Sequence, residues 1–264
     1  MTELTYDAGA AGYDRMFARV TRLFIPPLVQ AAALAPGHRV LDVATGTGAA
    51  ALSCAEVVGP AGYVVGGDLS CAMLEKARRN LRSLPVALMA LDGQALPFRD
   101  ASFDALVCQL GLMFFPDPTR GVSEFRRVVR EGGCVAVSVT SAAPERTLYF
   151  RVGFAIARHL PAKAQALRRL FALGDPRRLG ALLEQAGLGE TDVRSERRRI
   201  AFASFNSYFR HVASGAGTAG QAYLQLSPDA QRDVREEVWR GLLGSGSDRP
   251  FTIDMEVLIG SGRR

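Results

Sequence analysis

The sequence predicts an α/β protein built on a doubly wound, mainly parallel β-sheet. Between residues 40 and 140, five short apolar runs are predicted to be strands, and helical segments lie between most of them. This alternation is typical of a parallel sheet with helices on both faces. Such sheets bind ligands outside the carboxyl ends of their strands, so functional residues are expected there.

Each element of this core is predicted from a local pattern. The strands are predicted at Val40–Ala44, Tyr63–Asp68, Val86–Leu91, Phe103–Gln109 and Cys134–Val139. An alanine-rich helix, Ala49–Val58, is ended by Gly59-Pro60, and a second helix runs from an N-cap at Ser70 to about Leu81. A third, amphipathic helix is predicted at Pro118–Val129, before Gly132-Gly133.

Two further regions flank the core, 39–140, and we expect one compact domain over 1–264. Residues 1–38 are predicted to form a helical segment from about Asp14 to Leu34, interrupted by Pro26-Pro27. Residues 141–245 are mostly helical and rich in aromatic residues, which predicts a cap with one strand. Within 246–264, Phe251–Ile259 alternates apolar and polar residues like an edge strand, and Val193–Phe202 is its expected hairpin partner.

Composition and charge narrow the classes of protein. The chain has 264 residues, 48% of them apolar, which suffices for a sizeable core. The net charge is +6, and almost all of the positively charged side chains are arginines. Some of these arginines form short clusters scattered along the chain at 126–127, 168–169, 177–178 and 197–199. Aromatic residues do not interleave closely with them, so a solvated surface is favoured and nucleic acid is not the expected partner. A polyanion-binding patch stays open as an alternative.

The chain ends and the cysteines exclude other classes. The N-terminal Met1–Asp7 lacks a basic-then-apolar signal pattern, and no run of about 18 apolar residues occurs, so a cytoplasmic protein without a membrane span is expected. The four cysteines form no C-x-x-C pair and no metal-ligand spacing with histidine. We expect reduced thiols and no metal site. The oligomeric state is not predicted.

Glycines and carboxylates mark the strand ends. Gly46 and Gly48 follow the first strand and open a helix, where glycine lets the backbone approach a ligand closely. Asp68 ends the second strand about 20 residues later, where a carboxylate can accept both hydroxyls of an adenosine ribose. Asp92, followed by Gly93-Gln94, ends the third strand and can receive the adenine amino group. Together these residues predict a nucleoside site.

Asp42 selects among nucleoside ligands. A dinucleotide would place its pyrophosphate at the N-terminus of the first helix, and the Asp42 carboxylate within the preceding strand would repel it. This carboxylate suits a ligand that carries a positive amino group or a sulfonium. S-adenosylmethionine has both and no phosphate.

Several segments of the core resemble a known family. Leu41–Gly48 resembles motif I of class I S-adenosylmethionine-dependent methyltransferases, and Asp68-Leu-Ser with Met73–Ala77 resembles their second motif. Leu91–Phe98 with Ser102–Asp104 resembles the UbiE/Coq5-like (methyltransferase type 11) branch, and Phe125–Gly133 is similar to its helix and turn before strand five. The resemblance covers about 36–140. It implies a Rossmann-like sheet of seven strands, the last one antiparallel.

The resemblance also implies site residues. Asp42 and the Gly46/Gly48 loop would hold the methionine part, with Ala44 as a small residue where the family commonly has glycine. Asp68 would take the ribose, while Leu69 and Met73 would lie beside the adenine. Asp92, Gly93 and Gln94 would meet the adenine edge. The segment Gln109, Leu110, Gly111 would line the methyl-donor side.

Catalytic and substrate residues are less well marked. Methyl transfer depends mainly on orientation and exclusion of water, and needs a base only for a nucleophile with a proton of high pKa. His211, in the aromatic-rich cap, is the candidate base. Tyr13, like Tyr6, lies in the N-terminal segment, which in related enzymes closes over the cofactor. Phe114, Phe205 and Tyr208 are the candidate substrate contacts.

Missing motifs narrow the acceptor. The segment after strand four lacks the Asn/Asp-Pro-Pro-aromatic motif of exocyclic-amine DNA methyltransferases, and no Pro-Cys nucleophile or clustered cysteine set is present. The aromatic cap favours an apolar or aromatic small molecule, such as a phenol, quinone precursor or polyketide-like metabolite. S-adenosylhomocysteine would be the product of the donor.

The sequence leaves two other functions open and disfavours a third. A protein of this fold can have lost methylation and act, for example, as a cyclase. The arginine clusters leave an RNA or protein methyltransferase possible. A nicotinamide-dependent oxidoreductase is disfavoured, because the chain lacks a Tyr-x-x-x-Lys pair and carries Asp42.

Overall fold

The computed structural model describes residues 15–82, 84–143, 146–148, 150–215 and 217–264. Its centre is one seven-stranded sheet with the order β3-β2-β1-β4-β5-β7-β6. The strands are β1 (Arg39–Val43), β2 (Tyr63–Asp68), β3 (Val86–Ala90), β4 (Phe103–Gln109), β5 (Val129–Thr140), β6 (Gly189–Phe202) and β7 (Phe251–Arg263). Pairings among β1 to β5 are parallel, and β7 runs antiparallel to both β5 and β6. The predicted doubly wound fold with an antiparallel last strand is confirmed.

Helices connect the strands and form the cap. They are α1 (Arg15–Arg22), α2 (Ile25–Ala31), α3 (Ala49–Val58), α4 (Cys71–Asn80), α5 (Pro118–Val128), α6 (Phe150–His159), α7 (Pro161–Arg169), α8 (Pro176–Gln185), α9 (Phe205–Ala213), α10 (Gly217–Leu224) and α11 (Pro228–Leu243). The N-cap predicted at Ser70 is present, since its Oγ accepts from the Met73 amide at 3.2 Å. In the described ranges, no helix combines the length and apolarity that crossing a bilayer requires.

Alternation along the strands assigns side chains to the two faces of the sheet. One hydrophobic cluster contains Val40, Val64 and Val107, together with residues of α1, α2, α3 and the cap. The opposite cluster contains Leu41 and Val43 with residues of α5 and α8. By the same period of two, Asp42, Asp68 and Gln109 belong to the face that carries α1 to α3. Three predicted site residues therefore share one face near the carboxyl ends of β1, β2 and β4.

The N-terminal helical segment breaks earlier than the sequence predicts. The chain turns at Leu23 and Phe24, and α2 then begins with prolines in its first turn. Proline lacks an N–H and its fixed φ suits the first turn of a helix. Pro26-Pro27 therefore starts the second helix, and the prediction that it interrupts one is corrected.

The passage from α5 to β5 also differs. The helix ends at Val128, one residue before its predicted end, and β5 begins at Val129 rather than at Cys134. The pairing with β4 shifts between Phe103↔Val129 and Ala105↔Cys134. The intervening residues therefore form an irregularity around Gly132, whose φ is +71°.

The prediction that Phe251–Ile259 forms an edge strand is wrong. β7 lies between β5 and β6, and β6 is the edge. The polar residue Glu256 is 5% exposed within β7, because it accepts hydrogen bonds from Ser141 Oγ at 3.0 Å and from the Arg197 guanidinium at 3.1 Å. A carboxylate with such partners can be buried, so the sequence of this strand alternates apolar and polar residues as a half-exposed strand does. The predicted pairing of this strand with Val193–Phe202 is confirmed.

Candidate functional site

The loop after β1 presents its backbone outward. Ala44, Gly46 and Gly48 have φ values of +59°, +55° and +85°. Glycine is favoured at position 48 because its φ is strained for other residues, and because a Cβ there would lie 2.6 Å from Leu81 Cδ1. A Cβ on Gly46 would meet no atom of the described residues within 4 Å. Gly46 therefore faces open space, where a ligand can approach the backbone.

Asp68 braces this loop. Its Oδ2 accepts from the Gly46 amide at 2.8 Å and its Oδ1 accepts from the Ser70 amide at 2.9 Å. A carboxylate oxygen can accept more than one hydrogen bond, which is the property that the expected ribose role requires. The side chain thus links the ends of β1 and β2 and fits the ribose role expected for it.

Asp42 is the most strongly perturbed carboxyl group of the site. It is 0% exposed, its Oδ2 accepts from Thr45 Oγ at 2.6 Å, and its Oδ1 lacks a hydrogen-bond partner among the described residues. Burial raises its pKa to about 7; the Thr45 hydroxyl and the Ala51 amide lower the pKa in part, and the charge of Asp68 raises it further. A cation placed at the site would favour the ionised form of Asp42. The unpartnered oxygen therefore fits the positive methionine end of S-adenosylmethionine.

Thr45 is not among the predicted site residues, but its hydroxyl donates a hydrogen bond to Asp42. Its amide also donates to the Gly67 carbonyl at 3.0 Å, which ties the loop to β2. The spacing Asp42-x-x-Thr45 is the local signal for this contact, since a hydroxyl three residues after a carboxylate can turn back to it.

The residues after β3 bond to one another and to α5. Asp92 Oδ1 accepts from the Gln94 backbone amide at 2.9 Å and from its Nε2 at 3.2 Å. Gln94 Oε1 accepts from the Asp117 amide at 2.8 Å, so both the nitrogen and the oxygen of the Gln94 side-chain amide form hydrogen bonds. A Cβ on Gly93 would lie 2.3 Å from the Phe115 ring, so this glycine accommodates Phe115. The adenine roles of Asp92, Gly93 and Gln94 stay predictions.

Leu69 and Met73 differ in exposure. The Leu69 side chain is 77% exposed directly after Asp68, whereas Met73 is a buried residue of α4 and is 2% exposed. An exposed apolar side chain next to Asp68, the predicted ribose acceptor, offers a surface for a planar base. Only Leu69 presents such a surface in this conformation.

The segment after β4 closes against the loop after β1. A Cβ on Gly111 would lie 2.4 Å from the Ala44 Cβ and 2.9 Å from Cys108 Sγ, so the two loops touch at this point. Leu110, with a φ of +51°, donates its amide to the Ser138 carbonyl at 3.0 Å. The ends of β1, β4 and β5 are thereby joined.

Gln109, which is predicted to line the methyl-donor side, forms a hydrogen bond with the N-terminal helix. Its Nε2 donates to the Thr21 carbonyl of α1 at 2.7 Å. The amide therefore fastens the N-terminal helix to the carboxyl end of β4. Sequence spacing gives no signal for this contact, because the two residues are 88 positions apart.

The catalytic and substrate candidates lie mainly in the cap. His211 is 8% exposed in α9, and burial lowers its pKa, which favours the neutral form of the imidazole. Phe205 and Tyr208 are 0% and 1% exposed and pack against each other, with the Tyr208 hydroxyl donating to the Leu148 carbonyl. The structure gives these two rings core contacts, so their role toward substrate stays a prediction that their packing does not favour.

Phe114 and Tyr13 are the two remaining candidates for substrate and catalytic roles. Phe114 is half-buried in the 3-10 turn Leu112–Phe114, directly after the β4 loop. Its neighbour Phe115 packs edge-on against Phe125 of α5, with ring centroids 5.9 Å apart. Tyr13 and Tyr6 lie outside the described residues, and their covering role stays a prediction.

Comparison with known proteins shows what this arrangement is similar to. Residues 41–137 match the methyltransferase domain family, a span that begins in β1 and ends in β5. This part of the chain is therefore similar to a methyltransferase domain, as the sequence motifs indicate. S-adenosylmethionine is the cofactor that this similarity supports.

Individual relatives agree with the family match. Demethylmenaquinone methyltransferase of Beutenbergia cavernae is 34% identical over 165 residues, which are 62% of this chain and 64% of the relative. The chain thus spans less than two thirds of that relative's length. A protein from Bacillus halodurans C-125, solved as a candidate methyltransferase, has a TM-score of 0.61 at 22% identity and covers 90% of this chain and 97% of its own.

The same fold carries another activity. The (4+2)-cyclase SpnF has a TM-score of 0.55 at 20% identity over 92% of this chain and 80% of its own. Likeness at this level of identity shows the fold alone. Function must therefore be argued from the site residues.

Proposed function

We propose that the protein transfers the methyl group of S-adenosylmethionine to an apolar, aromatic small molecule of the quinone-precursor or phenol class. The arrangement of Asp42, the Gly46 loop and Asp68 at adjacent strand ends carries this proposal. The similarity to a demethylmenaquinone methyltransferase supports a quinone-like acceptor within that class.

The residues at the strand ends hold and orient the donor. Asp68 and the exposed Leu69 would hold the ribose and the adenine, and the backbone at Gly46 would hold the methionine part. The unpartnered Oδ1 of Asp42 would stabilise the positive end of the donor, because the buried carboxylate is ionised more readily beside a cation. When bound, S-adenosylmethionine would supply the methyl group from its positive sulfur to the acceptor, and the neutral thioether S-adenosylhomocysteine would leave.

The chain contributes positioning and exclusion of water. Gln109 holds α1 against the carboxyl end of β4, on the same face as Asp42 and Asp68. A site closed in this way orients the acceptor and keeps water from the reacting atoms. His211 is the candidate for accepting a proton from the acceptor, since burial lowers its pKa and so favours the neutral imidazole.

Donor binding and product formation together test the proposal. The protein is incubated with S-adenosylmethionine and either a 2-alkyl naphthoquinol or a simple phenol, and S-adenosylhomocysteine and the methylated acceptor are measured by mass spectrometry. We expect equal amounts of both products with at least one of these acceptors. The Asp68→Ala variant is expected to lose activity, whereas Asp100→Ala, which alters a side chain 67% exposed, is the matched control.

Other outcomes contradict the proposal. Conversion of an acceptor without a gain in mass and without S-adenosylhomocysteine would identify a non-methylating activity such as cyclisation. Methylation of RNA or protein, but of neither small molecule, would move the acceptor to another class. An Asp68→Ala variant as active as the wild type would show that the donor binds elsewhere.

A further inference from the structure

One segment of the cap combines positive charge with a cluster of aromatic rings. Residues 146–174 contain six arginine and lysine residues and no aspartate or glutamate. The segment follows the carboxyl end of β5 and includes α6 and α7. We call its outer side the cap surface, defined by Phe150, Arg151, Phe154, Arg168, Arg169 and Phe171.

The aromatic part of the cap surface is formed by three rings. Phe150 stacks on Phe154 with centroids 4.2 Å apart and meets Phe171 edge-on at 4.9 Å. Phe154 is 42% exposed, and no other phenylalanine belongs to the exposed large apolar side chains of the described part of the chain. The buried residues of α6 are Val152, Gly153, Ala155 and Ile156. Phe150 and Phe154, one turn apart, therefore lie on the outer side of the helix.

The arginines of the same segment differ in their partners. Arg168 and Arg169 are exposed in the last turn of α7, and none of the described side chains of that helix is buried. Arg158 pairs with Glu237 of α11, which neutralises its charge. Arg151, Arg168 and Arg169 form no ion pair with another described residue. Their charges are available to an external anion.

We propose that the cap surface binds an anionic lipid membrane, with Phe154 at the level of the headgroups and Arg168 and Arg169 on lipid phosphates. Aromatic rings with a basic rim suit the membrane interface, where part of the surface is apolar and part is charged. Guanidinium groups bind phosphate oxygens in a bidentate manner.

Two other partners fit this surface less well. Single-stranded RNA is bound by separate aromatic platforms that stack successive bases, whereas the rings here stack on each other. A second copy of the chain in a two-fold dimer would oppose like charges, because the same patch would meet itself. Binding to lipid does not depend on the reaction. Its use, access to a quinone dissolved in the membrane, rests on the proposed function.

Vesicle flotation tests the inference without donor or acceptor. The full chain is mixed with vesicles of phosphatidylcholine, or of phosphatidylcholine with anionic phosphatidylglycerol, and the bound fraction is measured at low and at high salt. We expect binding to the anionic vesicles alone, weakened by salt. Charge reversal of the arginine pair on α7, R168E/R169E, is expected to weaken binding at least about tenfold.

The matched control is R78E/R79E. Arg78 and Arg79 are also adjacent, exposed and in the last turn of a helix, but α4 lies on the β2–β3 side of the sheet. Since the change in net charge is equal, this variant is expected to stay within about threefold of the wild type. The variant Phe154→Ser, which keeps every charge, is expected to bind more weakly than the wild type. Thermal unfolding of all three variants checks that they fold.

Four outcomes would overturn the inference. The first is a wild type that binds neither kind of vesicle. The second is an equal loss of binding in R168E/R169E and R78E/R79E, which would indicate that net charge rather than this surface determines binding. Preferential binding of single-stranded RNA through Arg168 and Arg169 would assign the surface to nucleic acid. A dimer that Phe154→Ser converts to a monomer would assign it to a second copy. Loss of methyl transfer with intact vesicle binding would instead contradict only the proposed function.

Discussion

Replacement of Asp42 by asparagine is expected to make the protein more stable relative to the wild type as the pH rises from 5 to 7. The folded Asp42 carboxyl has a pKa raised to about 7, mainly because it is buried, while its ordinary value is 3.8. Between these two values the folded chain holds a proton that the unfolded chain has released. The free energy of unfolding of the wild type therefore falls with rising pH, and asparagine has no proton to lose.

The structure sets the size of this effect. One pKa unit corresponds to about 1.4 kcal/mol, so the full shift of Asp42 corresponds to about 4 kcal/mol. The contribution is fully present below the ordinary pKa and is lost as the pH passes the folded pKa of about 7. Between pH 5 and pH 7 the advantage of Asp42→Asn is expected to grow by about 2 kcal/mol. Asparagine has nearly the same shape and can still accept from Thr45.

Urea unfolding at pH 5, 6, 7 and 8 measures the difference between variant and wild type. Asp104→Asn is the control: burial would raise the pKa of Asp104, but hydrogen bonds from Arg130 and Arg39 outweigh this and lower it to about 2. Asp104 is thus ionised in both states over the whole range, and its variant should follow the wild type at a constant offset. A constant offset for Asp42→Asn as well would refute the assignment of a buried, protonated carboxyl.

Three further substitutions test the site. Asp68→Ala should weaken S-adenosylmethionine binding at least tenfold in calorimetric titration, since a charged hydrogen bond contributes about 1.5–3 kcal/mol; unchanged affinity would contradict the ribose assignment. Gln109→Ala should speed trypsin cleavage at Arg19 and Arg22 by freeing α1 from β4, whereas Gln30→Ala, an exposed control, should not; equal rates would show that the bond to Thr21 does not hold the helix. Gly111→Ala should destabilise the fold by about 1–3 kcal/mol through overpacking against Ala44, while Gly153→Ala, with no atom of the described residues within 4 Å of its added Cβ, should stabilise its helix by about 0.5–1 kcal/mol; denaturant midpoints that move in the same direction would contradict this account.

Local patterns predicted the elements near the donor well. The strand ends at Asp68 and Gln109 and the N-cap at Ser70 depend on neighbouring residues, so they follow from the order of the chain. The break between α1 and α2 was misplaced, because proline suits the start of a helix as well as its interruption. The edge strand was misassigned, because a buried Glu256 mimics a solvent-facing position.

The sequence by itself determined the fold class, the alternation of strands and helices, and the positions of Asp42, Gly46 and Asp68 at the carboxyl edge. These features follow from hydrophobic periodicity and from residue types, which act over a few positions. The parallel order of successive strands then brings their ends together without further information.

Only the tertiary structure decided the partners of these residues. In that structure Gln109 donates a hydrogen bond to the Thr21 carbonyl, and Gln94 accepts one from the Asp117 amide. The Phe115 ring fills the space beside Gly93. Periodicity tells which face a side chain occupies but not which distant element covers that face. The contact between α1 and β4 and the burial that raises the pKa of Asp42 therefore arise only when the whole chain has packed.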